Sequence, residues 1–159
     1  MKRAPDQYEV EQFFLSDDGT FPNSEFPVLH YKKVLALPIL FPAAFVKRLF
    51  KKNKWSNSWV YGVFEYHHYH SISHEVLACI KGSSALLIGG PRGVEIKINK
   101  GDVLVIPAGV AHKNLGKENQ LTCVGAYAGG ADYDINYGQP GERPQADKNI
   151  RGVPLPALD

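Results

Sequence analysis

Five of the six histidines in this chain, at positions 67, 68, 70, 74 and 112, gather in or beside a group completed by Glu75. Crowded imidazoles are costly to a protein core, because each is titratable and loses solvation on burial. A bound divalent metal is the simplest use for them. If His68 and His70 lie on a β-strand, alternation turns both rings to one face, together with Phe64 and Tyr66, and sends His67 to the other. A short loop from Ser71 to His74 leads to Glu75, whose carboxylate can reach the same point from a neighbouring strand. His112 follows the turn Pro107-Ala108-Gly109 and arrives from elsewhere in sequence. Three neutral imidazoles and one carboxylate form a donor set of borderline hardness, suited to one divalent transition metal among Fe, Mn, Ni, Zn and Cu.

Blander uses of the same residues stand beside this one. His68, His70, Glu75 and His112 could form a hydrogen-bonded network or an anion site without metal. A one-residue shift would let His74 replace Glu75 or His70. His30, isolated beside Tyr31, reads as structural. Tyr66 and Tyr69 flank the histidines, where one could bond a metal-bound substrate or a ligand carboxylate, although core filling explains Tyr66 more simply. Cys79 and Cys123 sit in apolar, strand-like runs and read as buried reduced thiols, with a disulfide, a thiolate ligand or, for Cys79, an oxidisable thiol near the metal as alternatives. Asp132 and Asp134 read as turn caps.

The elements that must carry these residues are mostly strands. Residues 1–40 are broken by Asp17-Asp18-Gly19, Pro22-Asn23, Pro27 and Pro38, which predicts an extended arm with one or two short strands. From Pro42 to about Asn53, Phe45, Val46, Leu49 and Phe50 recur at helical spacing opposite Lys47, Arg48, Lys51 and Lys52, predicting one amphipathic helix whose basic face is simply solvated. Strand-like runs follow: Val60 to Tyr69, Glu75 to Ile80, Ala85 to Ile88, Val94 to Ile98, Val103 to Ile106 and Leu121 to Tyr127. Many short strands between Gly- and Pro-bearing turns indicate a sandwich or barrel. From Gly129 onward a Gly-, Pro- and Asp-rich segment predicts an arm. The expected organisation is one domain, with residues 1–58 as N-terminal arm and helix, 59–128 as the barrel core and 129–159 as the C-terminal arm.

At 159 residues, 44% hydrophobic and 21% charged, the chain suits one globular unit, and a formal charge of +2 implies no nucleic-acid partner. No apolar run approaches membrane-spanning length, so no membrane partner is expected either. Asp6, Gln7, Glu9 and Glu11 occupy the place where a secretory signal carries its apolar core, so a cytoplasmic protein is expected.

The stretch Gly62-x5-His68-x-His70-x4-Glu75-x6-Gly82 resembles the first motif of the cupin superfamily at every defined position. Gly101-x5-Pro107-x-Gly109-x2-His112 resembles most of the second; where the family continues with Asn, this chain has Gly116, with Asn114 two residues early. Asp18-Gly19-Thr20, the helix, Trp59, His67-His68-Tyr69-His70 and Gly125-Ala126-Tyr127 look like a group of small, mostly uncharacterised bacterial cupins of the YjlB type. The resemblance implies an all-β fold, a double-stranded β-helix or jelly-roll barrel with one N-terminal amphipathic helix and extended terminal arms. It also implies a homodimer and a metal held inside the barrel mouth.

Cupins include dioxygenases, isomerases, epimerases and decarboxylases, so the fold selects no reaction. The expectation is an enzyme acting on a small polar molecule at a mononuclear site of His68, His70, Glu75 and His112, as a dioxygenase or an isomerase. The alternatives are a non-catalytic protein that binds a small ligand or metal, and a structural barrel stabilised by metal. An apolar lining from Phe64, Leu77, Leu104 and Ile106 implies a small cavity, so polymers are excluded as substrates.

Overall fold

The computed structural model describes residues 8–157, so the reading of residues 1–7 as no signal, and the outer tips of both terminal arms, lie outside the described residues. The chain runs β1 (Glu9–Leu15), β2 (Ser24–Lys32), α1 (Pro42–Lys52), β3 (Trp55–Tyr61), β4 (Glu75–Ile88), β5 (Val94–Asn99), β6 (Val103–Ile106), β7 (His112–Asn114), β8 (Leu121–Ala128) and α2 (Gln145–Gly152). It is mostly β, with eight antiparallel strands and two helices. No helix among the described residues is long and apolar enough to cross a membrane.

β4 organises the sheet because its two halves have different neighbours. Its first half pairs with β6 and β8 in the order β1-β2-β6-β4-β8-β3. Its second half pairs with β5 and β7. The corner lies at Gly82, where φ is 75° and the register with β8 has just shifted between Cys79 and Lys81. A Cβ at this position would stand 1.9 Å from the Gln120 carbonyl oxygen, so only glycine lets the strand bend while β8 stays paired.

Alternation decides where the core lies. Leu77 and Cys79 of β4, Leu104 and Ile106 of β6, and Cys123 of β8 face inward and meet Leu86, Ile88, Ile96 and Ile98. Their neighbours Val76, Ala78, Ile80, Val103, Val105, Val124 and Ala126 face the other way, under Val46 and Phe50 of α1. Strands buried on both faces read as unbroken apolar runs, which is why Val103-Leu104-Val105-Ile106 shows no polar alternation. α1 starts at Pro42, where a missing N–H costs nothing, and ends on Lys51 and Lys52, whose charges suit the C-terminal end of the helix dipole. Burying Phe50 and Val46 contributes about 1.5–3 kcal/mol for each side chain.

Several expectations need correction. The strand from Val60 to Tyr69 does not form: β3 ends at Tyr61, and only single bridges at His68 and Tyr69 interrupt an irregular path to Glu75. Phe64 and Tyr66 stack on each other at 4.9 Å, so their alternation serves ring contacts and not a ladder. The runs Glu75 to Ile80 and Ala85 to Ile88 are one strand, because Lys81-Gly82-Ser83 between them forms the bent corner of β4 and not a turn. In the N-terminal segment the one or two short strands expected are β1 and β2, paired as a hairpin. The C-terminal arm differs: α2 occupies it, where a single buried residue, Ala146, leaves no apolar stripe to signal a helix.

His30 is structural, as expected, and its partner is Asp102, which is 1% exposed. The Asp102 carboxylate faces His30 Nε2 at 3.1 Å and accepts the backbone N–H groups of Lys33 and Asn99 at 2.8 and 2.9 Å. It therefore ties β2 to the β5–β6 turn. Replacing Asp102 by Ala strands these groups in the interior and should cost about 3 kcal/mol, read as a lower urea midpoint. An unchanged midpoint would show that the turn holds without it.

Candidate metal centre

Backbone pairing brings His68 and His112 face to face. The His68 N–H donates to the His112 carbonyl at 3.2 Å and the His112 N–H to the His68 carbonyl at 2.9 Å. On one side the Gly109 N–H donates to the His70 carbonyl at 2.8 Å; on the other, Tyr69 and Asn136 exchange two backbone bonds at 2.9 Å. The short extended piece 68–70 is thus clamped between the turn before β7 and the segment after β8, with both imidazoles projecting to one side. Glu75, the first residue of β4, lies opposite Ile106 and Tyr127.

The four side chains are buried, and ligand atoms of His68, His70 and His112 lie within 4.8 Å of one another. Glu75 Oε2 sits 3.4 Å from His70 Nε2 and 3.3 Å from His112 Nε2. In each histidine Nδ1 faces a backbone carbonyl: Tyr66 at 3.2 Å for His68, Val110 at 3.1 Å for His112, and Asp134 for His70. An Nδ1–H donated there selects the tautomer with a bare Nε2 and turns that lone pair toward the cluster. Glu75 Oε2 is buried with no hydrogen-bond partner. Lone pairs converging without a donor repel one another unless a cation stands among them, so the donor set fits a divalent ion.

Electrostatics point the same way. Burial, and then the neighbouring His112, push His68 down to about 3, so its ring is neutral at pH 7. Burial acts to raise Glu75, but the charge of His70 and the close approach of the His112 and His70 nitrogens hold its carboxyl well below the usual range. Burial also acts to lower His70, yet the adjacent Glu75 carboxylate, with the Asp134 carbonyl, raises it. A proton on His70 is the cation that offsets Glu75 when no metal does.

A cavity of about 190 Å³ opens beside the cluster, walled by Trp59, Tyr61, Phe64, Leu77, Tyr127 and Tyr133. A larger cavity of about 640 Å³ lies by Phe14, Asn23 and α2, but none of the four clustered residues reaches it. Chemistry, not size, identifies the smaller one. Of the expected lining, Phe64 and Leu77 are present, while Leu104 and Ile106 belong to the core beneath.

The neighbours depart from expectation in instructive ways. His74 is buried, but its Nδ1 accepts the Ala108 N–H at 2.9 Å and its ring borders the larger cavity, so it takes no place in the cluster. His67 points away from the cluster, as alternation predicts, and is half-buried against Phe21, with ring centroids 5.4 Å apart. Tyr66 is 46% exposed and not core filling, whereas Tyr69 is fully buried and donates its hydroxyl to Glu142 at 3.0 Å. Cys79 and Cys123 are free buried thiols directly opposite each other on β4 and β8. Asn114 is buried and holds the loop after β7: its Oδ1 accepts the Ser84 hydroxyl and the Gly116 N–H, and its Nδ2 donates to the Lys117 carbonyl. Gly116 must then stay small, since a Cβ there would meet Gln120 Oε1 at 2.3 Å and Ser84 Oγ at 2.5 Å.

Asp134, expected only to cap a turn, does more. Its carboxylate accepts the Ser71 N–H at 2.6 Å, the Ser71 hydroxyl and the Asn136 side-chain amide, while its carbonyl orients His70. Nothing local in the sequence links it to a loop more than sixty residues earlier.

Residues 62–128 match the family described as Cupin. Over 152 residues the chain is 41% identical to a protein of Bacillus subtilis (strain 168) named Uncharacterized protein YjlB, covering 95% of this chain and 89% of that one. The chain belongs to the cupin family. Within it, this cupin is YjlB-like. Among solved structures, an acireductone dioxygenase from Bacillus anthracis, with a cadmium ion in its active centre, aligns at 14% identity over 82% of this cupin and 83% of that chain, with a TM-score of 0.45. A dTDP-6-deoxy-D-glucose-3,5-epimerase from Legionella pneumophila aligns at 12% identity over 76% and 72% of the two chains, with a TM-score of 0.41.

Because His70 is raised above its ordinary value of 6.5, a proton competes with a metal for the cluster below that raised value. Metal affinity should therefore rise with pH up to the raised His70 value, about tenfold per unit where one proton is displaced, and level off above it. Competition titrations with a colorimetric chelator at several pH values measure this slope; a flat profile would contradict the proton-for-metal exchange.

Proposed function

We propose that this cupin holds one divalent transition metal, from the set Fe, Mn, Ni, Zn and Cu, through the Nε2 atoms of His68, His70 and His112 and the carboxylate of Glu75. We propose further that it is an enzyme acting on a small molecule in the adjoining cavity, as a dioxygenase or an isomerase. The observation that carries the reading is the convergence of three carbonyl-oriented imidazoles on a buried, partnerless carboxylate oxygen at the floor of an open cavity. Structural metal sites are closed by their ligands, whereas sites that act on substrates keep an open side. That cavity favours the enzyme over a barrel merely stabilised by metal.

The metal when bound would supply Lewis acidity or a site for O2 chemistry. The protein's own residues supply the rest. The Tyr66, Asp134 and Val110 carbonyls fix the imidazole planes. Trp59 Nε1–H donates to the Tyr127 hydroxyl oxygen at 3.2 Å, and the phenol's own proton faces Glu75 at the edge of the cavity. Burial, then the charge of Glu75, hold that phenol far above its ordinary value, so it stays a donor at any working pH. Trp59, Tyr61 and Phe64 keep bulk water from the floor.

Elemental analysis of protein purified without added metal, beside His68→Ala, His112→Ala and Glu75→Gln, tests the ligand set. The native protein should carry about one metal per chain, and each variant should bind at least about tenfold more weakly. Full occupancy in the variants would sink the assignment. Oxygen uptake by the Fe(II)-loaded protein over thiols, diketones, phenols and sugars then separates the classes, since binding without turnover of any of them would favour a non-catalytic binding protein.

A further inference from the structure

We infer that the loop Ile39-Leu40-Phe41, together with the basic face of α1 beside it, docks on an anionic lipid surface. The contact is peripheral and does not span, and it shares no residue with the cavity beside the metal cluster. Two independent features lead to it.

The first is the distribution of charge. The formal +2 hides a strong asymmetry, because residues 26–64 hold seven Lys and Arg and no Asp or Glu, whereas the other 120 residues hold eleven cations and sixteen acids. Lys32 is paired with Glu9 and Glu11; among the described residues none of the other six enters an ion pair. Four of the six, Lys47, Arg48, Lys51 and Lys52, are exposed on the eleven residues of α1. Lys47 and Lys51, like Arg48 and Lys52, stand four residues apart, where like charges destabilise a helix. An anionic surface laid against the row removes that repulsion.

The second is an apolar wedge at the head of the same helix. Three consecutive side chains stand in water: Ile39 is 96% exposed, Leu40 72% and Phe41 79%. Scattered exposed apolar residues are ordinary, but an unbroken run marks a contact. Phe41 is also strained. It is the residue before α1, its carbonyl accepts the Phe45 N–H at 3.1 Å, and its backbone lies at φ 55° and ψ 44°, a left-handed conformation that bulky residues avoid. Strain with no burial to offset it fits a use outside the fold. Phe41 heads the exposed row that continues through Ala44, Arg48 and Lys52, so the wedge and the cations share one side of the molecule. At 1.5 Å per residue all four charges lie within about 17 Å of it along the helix axis.

Charge and shape together select lipid over protein. A second copy of this chain, docked about a two-fold axis, would bring the same cations against themselves. An acidic protein would need a pocket matched to three projecting side chains, whereas acyl chains close around any shape. Anionic headgroups attract Lys and Arg held near the surface, and apolar side chains set among such cations are what the boundary between headgroups and acyl chains accepts.

The test is co-sedimentation of the full chain with phosphatidylcholine vesicles that contain or lack phosphatidylserine. Binding is expected only where phosphatidylserine is present, and it should weaken as salt is raised. Lys51→Gln with Lys52→Gln should weaken it about twentyfold, at roughly fivefold per charge. Phe41→Gly removes the ring and suits the left-handed backbone, so it should weaken binding about tenfold while the urea midpoint holds or rises. Equal binding to both vesicles, or native affinity in both variants, would overturn the inference, and so would a lower midpoint in Phe41→Gly, which would make the ring a support of the fold. Because the full chain is used, a loop already covered by residues 1–7 would read as no binding and overturn it too. A native oligomer that Phe41→Gly dissociates, with no lipid bound, would assign the loop to a second copy instead.

Discussion

One buried carboxylate oxygen without a donor governs this structure. Glu75 is 2% exposed, and its Oε2 faces imidazole nitrogens whose lone pairs have been turned toward it. Removing a charge from water costs several kcal/mol even after relaxation, and it is tolerated only where a cation repays it. The surroundings are arranged for such a cation. Three backbone carbonyls take the Nδ1 protons, so that the remaining nitrogens can only accept, and a proton retained at His70 is the fallback when no metal is bound. A core built for stability alone would place aliphatic side chains here.

The fold serves this point by bending one strand. β4 begins at Glu75, is locked on both sides by β6 and β8, turns at Gly82, and ends beside β7, whose first residue is His112. One continuous strand therefore spans from the carboxylate to the distant imidazole. Its double burial, under α1 on one face and against the inner core on the other, makes the start of β4 rigid. Rigidity matters because donor atoms must be held to within about half an ångström to act together.

The cluster was legible in sequence where spacing does the geometric work. His68 and His70 project together because they are two residues apart in extended chain, and that holds although only single bridges, not a strand, support them. The same logic sends His67 to the other side, where it meets Phe21 from another part of the chain, a contact that no local pattern marks. Asp134, Tyr127 and Tyr133 reach the site through tertiary packing after β8, and no local pattern marks them. α2 escaped notice for a related reason: it is held by few apolar contacts, with Arg143 just before it bonding both Asp17 and Asp147. The turn read at Lys81-Gly82-Ser83 was a true signal of a bend, but glycine there redirects a strand without ending it.

The central claim is that one metal is held by three imidazoles and one carboxylate at the cavity floor. X-ray absorption at the K-edge of the metal carried by the purified protein tests it most directly. The account predicts a first shell of nitrogen and oxygen near 2.0–2.2 Å, with the outer-shell scattering of three imidazole rings. A sulfur shell near 2.3 Å, which would implicate a cysteine, or scattering from fewer than two imidazoles, would contradict it.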